Sequence, residues 1–304
     1  MRIKHRHRIA AKATEPDGFV HPMARHVAMY FPRSTKRLVV SFDNVMSRAA
    51  PRPHFPWGAN FVDRMGASHL GLMMASPDDW FRHADVWAFF DGLRDDGFFE
   101  SFDEVIFYGS SMGGYGALTF AKAAPGARVV AMVPQTHLDP SVVPFETRYD
   151  AGFARGKWFG PYLDAVDGAR AASVVYVLYD PHFGPDAAHV ARLDPANLVE
   201  LRLPWSLHHS GPILSKTGRM NDVLEAAFDG TLTATSFRAM VRAGERCEMG
   251  ARQSLRAGLS KGHPKLVMRA LSGLAQSHPE WEFPKIKERA HRLVQQAART
   301  HEAS

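Results

Sequence analysis

The segment that most restricts the fold of this 304-residue chain is EVIFYGSSMGGYGALTF, residues 104–120. An apolar run of strand character enters a turn with glycine at 109, 113, 114 and 116, and small residues then continue as a helix. A sharp strand-to-helix turn tolerates no bulky side chain two residues before or after its apex, because those positions would collide as the turn closes. Ser111 alone among the serines here has glycine on both sides at that spacing, so Ser110 is not the candidate. The pattern G-x-S-x-G arises by chance in about one chain in ten of this length, so its weight comes from the flanking strand and helix. That context sets the Ser111 hydroxyl at a helix N-terminus, where exposed N–H groups and the helix dipole favour developing negative charge. Ser111 is therefore a candidate nucleophile.

The rest of the chain supplies a sheet to carry such a turn. Short β-branched runs at about 26–31, 37–42, 69–74, 104–108, 128–133, 173–179 and 199–203 alternate with helical patterns at about 79–95, 111–124, 186–193 and 212–228. This alternation predicts an α/β fold with a mostly parallel sheet. Runs such as LVVSF, VVAMV and VVYVLY are apolar on both faces, as strands covered by helices on either side must be.

Two stretches interrupt the pattern. Residues 44–66 are rich in Pro and Gly and read as a long loop, and residues 134–170 separate two strands by far more than a crossover needs. Excursions of that length commonly serve as lids or binding loops. Beyond Thr231 the strand patterns stop. Pro264–Gln276, Pro284–Ala298 and the segment Phe237–Leu259 read as three amphipathic helices, two of them opening with proline. The expected organisation is a basic arm over 1–25, an α/β domain over 26–230 with a lid-like excursion at 134–170, and a helical segment over 231–304.

With these residues in view, the chain resembles the α/β-hydrolase superfamily over roughly 26–230. The elbow GSSMGGYGAL is similar to that of the bacterial serine esterase and acyltransferase branch, some members of which act on surface polysaccharides. The resemblance implies an acid after the strand beyond the lid and a histidine after the last strand. VVYVLY is followed by Asp180 and Asp186. Asp180 is preferred because it sits directly at the strand's carboxyl end, while Asp186 follows Pro185 and suits a helix start. His182 and His189 read as surface residues. After VELRLP come His208 and His209, of which the family pattern favours His208, although Leu207 stands where many relatives have glycine. The oxyanion would be held by the N–H of Met112 and by one from the loop after LVVSF, Asp43 or Asn44. A carboxylate at an oxyanion hole opposes catalysis, so the Asp43 side chain must point elsewhere.

The implied activity is a serine hydrolase or esterase acting on an acyl ester through a Ser-His-Asp triad, or an acyltransferase or deacylase, with a small-molecule or carbohydrate acyl substrate. The alternative is a non-catalytic protein of the same fold that binds or assembles, for instance in surface-polysaccharide production. Thr136 and His137 follow a strand end and could line the pocket, and Trp57, Trp80, Phe81 and Trp158 serve equally as core or substrate platform.

Charge and composition narrow the partners. The net charge of +6 conceals an acidic middle: residues 231–304 hold 13 Lys/Arg against 6 Asp/Glu, and residues 1–12 hold five basic groups and no acidic one. A solvated helical face explains the basic end better than nucleic-acid binding, which is not expected. The C-terminal helices need a surface to pack on, which allows a homo-oligomer. The single Cys247 excludes an internal disulfide framework and a Cys-based zinc site. His5 and His7 form a pair without a third ligand, so no metal is expected. The glycines at 109–116 miss the phosphate-loop and dinucleotide spacings, so no cofactor is expected either. No apolar run approaches bilayer length, and the basic start lacks a following apolar region. A cytoplasmic location is the default expectation.

Overall fold

The protein is described from a computed structural model over residues 17–45, 55–75, 79–244 and 246–302. His5, His7 and most of the basic arm lie outside the described residues.

Eight strands form one sheet: β1 (Phe19–Pro22), β2 (His26–Phe31), β3 (Arg37–Phe42), β4 (Ser68–Met74), β5 (Glu104–Ser110), β6 (Arg128–Met132), β7 (Val174–Tyr179) and β8 (Leu198–Arg202), in the order β1-β2-β4-β3-β5-β6-β7-β8. β1 and β2 pair antiparallel at one edge, and every pairing from β4 through β3 to β8 is parallel. The fold is α/β, a mostly parallel sheet covered by helices on both faces. The edge strand β1 escapes the sequence reading because FVHP has no apolar alternation: it is mostly exposed and ends on a proline, as edge strands can.

The two-residue period of the strands divides the core between the faces. Leu38, Val40, Phe42, Phe107, Val129, Ala131, Val175 and Val177 face one side, against α2 (Ala84–Asp95), α3 (Met112–Phe120) and α5 (Ala165–Ala171). Val39, Ile106, Tyr108, Val130, Met132, Tyr176 and Leu178 face the other, against α1 (Ala59–Arg64), α7 (Ser210–Lys216), α8 (Met220–Phe228) and α9 (Ala234–Ala243). The remaining helices are α4 (Asp150–Arg155), α6 (Gly184–Val190), α10 (Glu248–Ser260), α11 (Pro264–Ser277) and α12 (Pro284–Glu302). Every residue of α3 is buried, which explains its small residues: it is wedged among β3, β5, β6 and α5.

Several helix boundaries differ from the sequence reading for local reasons. The pattern at 212–228 is two helices, broken where Gly218 takes φ 72. The segment 237–259 is likewise split at Gly244, so the C-terminal region has four helices among the described residues. The first of them, α9, buries Phe237 against the sheet's second face. The other three pack mainly on one another through Leu255, Leu259, Val267, Phe283, Ile286 and Ala290. No helix among the described residues is long and apolar enough to cross a membrane.

Candidate active site

The turn between β5 and α3 holds Ser111 at φ 55, ψ −120, a backbone region that a residue with a side chain rarely enters. Flanking contacts hold it there. Ser111 N donates to Met132 O at 2.8 Å, and Tyr115 N donates to Ser111 O at 3.0 Å. The glycines are required by close approach. A Cβ on Gly109 would stand 2.0 Å from Gly113 O, and one on Gly113 would stand 2.6 Å from Phe42 O. The strand, the helix and the end of β3 therefore meet only because both positions lack side chains.

His208 lies in a short turn between β8 and α7. Its Nε2 is 3.0 Å from Ser111 Oγ. On the other side, Nδ1 is 2.8 and 3.0 Å from the two carboxylate oxygens of Asp186. With the carboxylate accepting from Nδ1–H, Nε2 is left to accept from the serine hydroxyl, so the partners define the tautomer. Asp186 is fully buried, in the first turn of α6.

The structure brings Asp186, not the preferred Asp180, to the imidazole. Asp180 is also fully buried, but its oxygens accept backbone N–H groups from His182 at 2.9 Å and from Leu207 at 2.8 Å. Its position at the carboxyl end of β7 turns it toward the loop that carries the histidine. Leu207 has φ 51, the left-handed conformation that glycine adopts without strain, and Asp180 braces it. Of the two histidines, His208 faces Ser111 and His209 is exposed.

Asp43 also departs from its expected part. Its N–H donates to Leu72 O at 3.0 Å, extending the pairing of β3 with β4, so that amide is directed away from Ser111. Its carboxylate is buried and accepts Met74 N at 3.2 Å. Met112 occupies the first helical position of α3, where an N–H has no intrahelical acceptor.

The sequence reading missed a charged cluster delivered by residues 134–170. Arg148 Nη1 donates to Asp186 Oδ1 at 2.9 Å, and its Nε donates to Glu146 at 2.9 and 3.1 Å. Arg148 Nη1 also comes within 3.4 Å of His208 Nδ1, but both atoms are donors, so this is proximity and not a hydrogen bond. Glu146 accepts from His189 Nε2 at 3.1 Å, while His189 Nδ1 accepts from Thr136 N at 3.1 Å. Burial alone would raise the Glu146 carboxyl, but the hydrogen bonds from His189 and Arg148 outweigh it and hold the group at about 2. Burial pushes the His189 imidazole below its ordinary value. His189 is thus a core residue and not the surface residue expected. Two further side chains reach Ser111 and His208. Tyr149 Oη is 3.2 Å from His208 Nε2, and Gln135 Oε1 is 3.4 Å from Ser111 Oγ. No spacing rule marks Glu146, Arg148, Tyr149 or Gln135, because they approach the site only through tertiary folding of the excursion.

Buried Arg82 anchors part of that excursion. It donates to Lys157 O at 3.0 Å, Pro161 O at 2.9 Å, Phe159 O at 2.6 Å and Tyr162 O, with its guanidinium 4.5 Å from the Trp87 ring centre. Trp80 and Phe81 are wholly buried, Trp57 packs 4.4 Å from Tyr108, and Trp158 lies tilted against both His137 and Tyr115. Thr136 and His137 are buried as well. A cavity of about 690 Å³ lies between Leu203, Ile213 and helices α10 and α11, and none of the residues around Ser111 lines it. Among the described residues, no cluster of three or more His, Cys, Asp or Glu could hold a metal ion.

No family model matches the chain, and no curated protein matches it. Solved structures similar to it include the capsule O-acetyltransferase of Neisseria meningitidis serogroup A, at 9% identity and TM-score 0.45 over 69% of this chain and 93% of that one. Carboxyl esterase 2 of the fungus Tuber melanosporum is similar at 15% identity and TM-score 0.45, over 73% and 83%. An esterase of Pyrococcus furiosus is similar at 12% identity and TM-score 0.42, over 70% and 93%.

Proposed function

We propose that this protein is a serine esterase or acyltransferase in which Ser111 is the nucleophile, His208 the general base and Asp186 the acid that orients it. One observation carries the reading: Ser111 Oγ, His208 Nε2, His208 Nδ1 and the Asp186 carboxylate follow one another at 3.0 and 2.8 Å, with the serine on a strained elbow at the start of a buried helix. Ser111 Oγ attacks an acyl carbonyl as His208 takes its proton, and Asp186 stabilises the resulting imidazolium without being protonated. The Met112 N–H, aided by the α3 dipole, holds the oxyanion. The imidazolium then returns its proton to the departing oxygen, and water or a second hydroxyl reverses the sequence. Residues 134–170 act as the cover of the site, contributing Gln135, Arg148 and Tyr149.

A fluorophosphonate probe tests this without knowledge of the substrate. Labelling of the wild-type protein at Ser111 is expected, with none in Ser111→Ala, and removing the nucleophile should lower turnover by about 10⁶-fold. Equal labelling of both proteins overturns the assignment of Ser111, and no labelling of wild type overturns the reading in favour of a binding protein of the same fold.

A further inference from the structure

Two hydroxyls converge on one nitrogen of His208. Ser111 Oγ stands 3.0 Å from Nε2 and Tyr149 Oη 3.2 Å from it. An imidazole that donates from Nδ1 to Asp186 has a single lone pair at Nε2, which one hydroxyl satisfies. The second hydroxyl is thus surplus to the resting imidazole. It is nevertheless held in place: Trp80 packs 4.9 Å from the Tyr149 ring, and the Arg148 guanidinium lies 5.1 Å from the ring centre. Burial pushes the phenol above its ordinary value, so it remains a protonated donor.

The chemistry of acyl transfer requires an oxygen near this place. Once Ser111 has added to the acyl carbon, the Nε2–H must reach the oxygen of the departing alcohol, which therefore sits within hydrogen-bond distance of Nε2. A hydroxyl that already borders both Ser111 and Nε2 can also touch that oxygen. We propose that Tyr149 is a catalytic residue on the leaving-group side, and that the site is built for esters of unactivated aliphatic hydroxyls. This rests on the Ser111 reading above. In the step concerned, the bond from the acyl carbon to the alcohol oxygen breaks and its electron pair stays on that oxygen. The proton arrives from His208 Nε2, and the acyl group remains on Ser111 Oγ. Tyr149 keeps its own proton and contributes a hydrogen bond to the oxygen while charge builds there. Such a donor matters most for a poor leaving group. An aryl ester leaves as a stabilised phenolate and needs it little.

The test compares wild type and Tyr149→Phe on a series of acetate esters running from p-nitrophenyl acetate through phenyl acetate to ethyl acetate, with kcat/KM measured for each. Phenylalanine keeps the ring that packs on Trp80 and Arg148. The expected result is a loss of about 10²-fold on the alkyl ester, the size typical of a lost donor to developing charge, with little loss on the p-nitrophenyl ester and an unchanged melting temperature. Equal losses across the series point to a structural role and overturn the proposal. So does undiminished alkyl-ester cleavage, or a wild-type protein that cleaves aryl but no alkyl esters. Fluorophosphonate labelling, run on the same samples, separates the two failures. If wild type is not labelled at Ser111, the nucleophile reading falls. If it is labelled while the leaving-group dependence is unchanged, only the Tyr149 assignment falls.

Discussion

Arg148 Nη1 donates to the Asp186 carboxylate at 2.9 Å, so the carboxylate that accepts from His208 Nδ1 is shared with a cation brought in by the 134–170 excursion. The same guanidinium is gripped by Glu146. Both carboxylates are almost completely buried, which makes the arginine their common counter-charge. Removing one partner of a buried ion pair strands the other and typically costs about 3–5 kcal/mol. Arg148→Met should therefore lower stability in urea by about that amount and, on the proposed function, reduce ester turnover. Adding Glu146→Gln should recover part of the lost stability, because one stranded charge is neutralised. A double variant no more stable than Arg148→Met would show that the cluster does not act as a unit.

Asp180 and Asp186 are both buried aspartates a few residues beyond β7, but they do different work. Asp186→Asn should lower turnover by about 10⁴-fold, the effect of presenting the imidazole in the wrong tautomer, and also cost stability because its buried pair with Arg148 loses a charge. Asp180→Asn should lower the melting temperature and leave turnover nearly intact, because the carboxylate accepts two backbone N–H groups around the strained Leu207. Losing such a bond from a buried group costs about 1–3 kcal/mol. Thermal melts and ester turnover on the two variants decide the matter, and the reverse pattern would return the acid to Asp180.

The elbow glycines make a sharper demand than helix propensity does. Since a Cβ at Gly109 would lie 2.0 Å from Gly113 O, with backbone on both sides, no rotamer can relieve the clash. Gly109→Ala should lose Ser111 labelling by the fluorophosphonate probe and destabilise the protein by several kcal/mol. Gly273, on α11, has nothing within 4 Å of its would-be Cβ, and Gly273→Ala serves as the tolerated control.

Acid should loosen the cover of the site. Glu146 is held at about 2 against an ordinary 4.5, and His189 lies below its ordinary 6.5. In both cases the unfolded chain takes up the proton first as pH falls, so the folded state loses ground. The His189 contribution is complete above pH 6.5 and weakens below it, and the Glu146 contribution is lost between pH 4.5 and about 2. Melting temperature should decline from neutrality downward, and Glu146→Gln should flatten the part of the decline below pH 4.5. A variant curve parallel to wild type down to pH 3 would remove Glu146 from this role.

The amino-acid sequence by itself determined the parts of this protein that depend on neighbours in the chain. Ser111 could be singled out because the glycines at 109 and 113 are local requirements of one turn. The central strands were legible because apolar runs covered on both faces carry their own signature, while position after the last strand offered both His208 and His209 and only the family resemblance favoured His208. Tertiary structure alone decided what depends on direction and on distant partners. Asp180 and Asp186 differ by less than two helical turns in sequence, and only the path of the loop after β7 settles which carboxylate meets the imidazole. Asp43 is a plausible donor until its amide is found paired with Leu72 across the sheet. Glu146, Arg148 and Tyr149 sit some 35 residues beyond Ser111 and some 60 before His208, in an excursion whose composition signals length and nothing more. Their meeting at Asp186 and Nε2 follows from packing, in which buried charges must find one another because water is no longer there to solvate them.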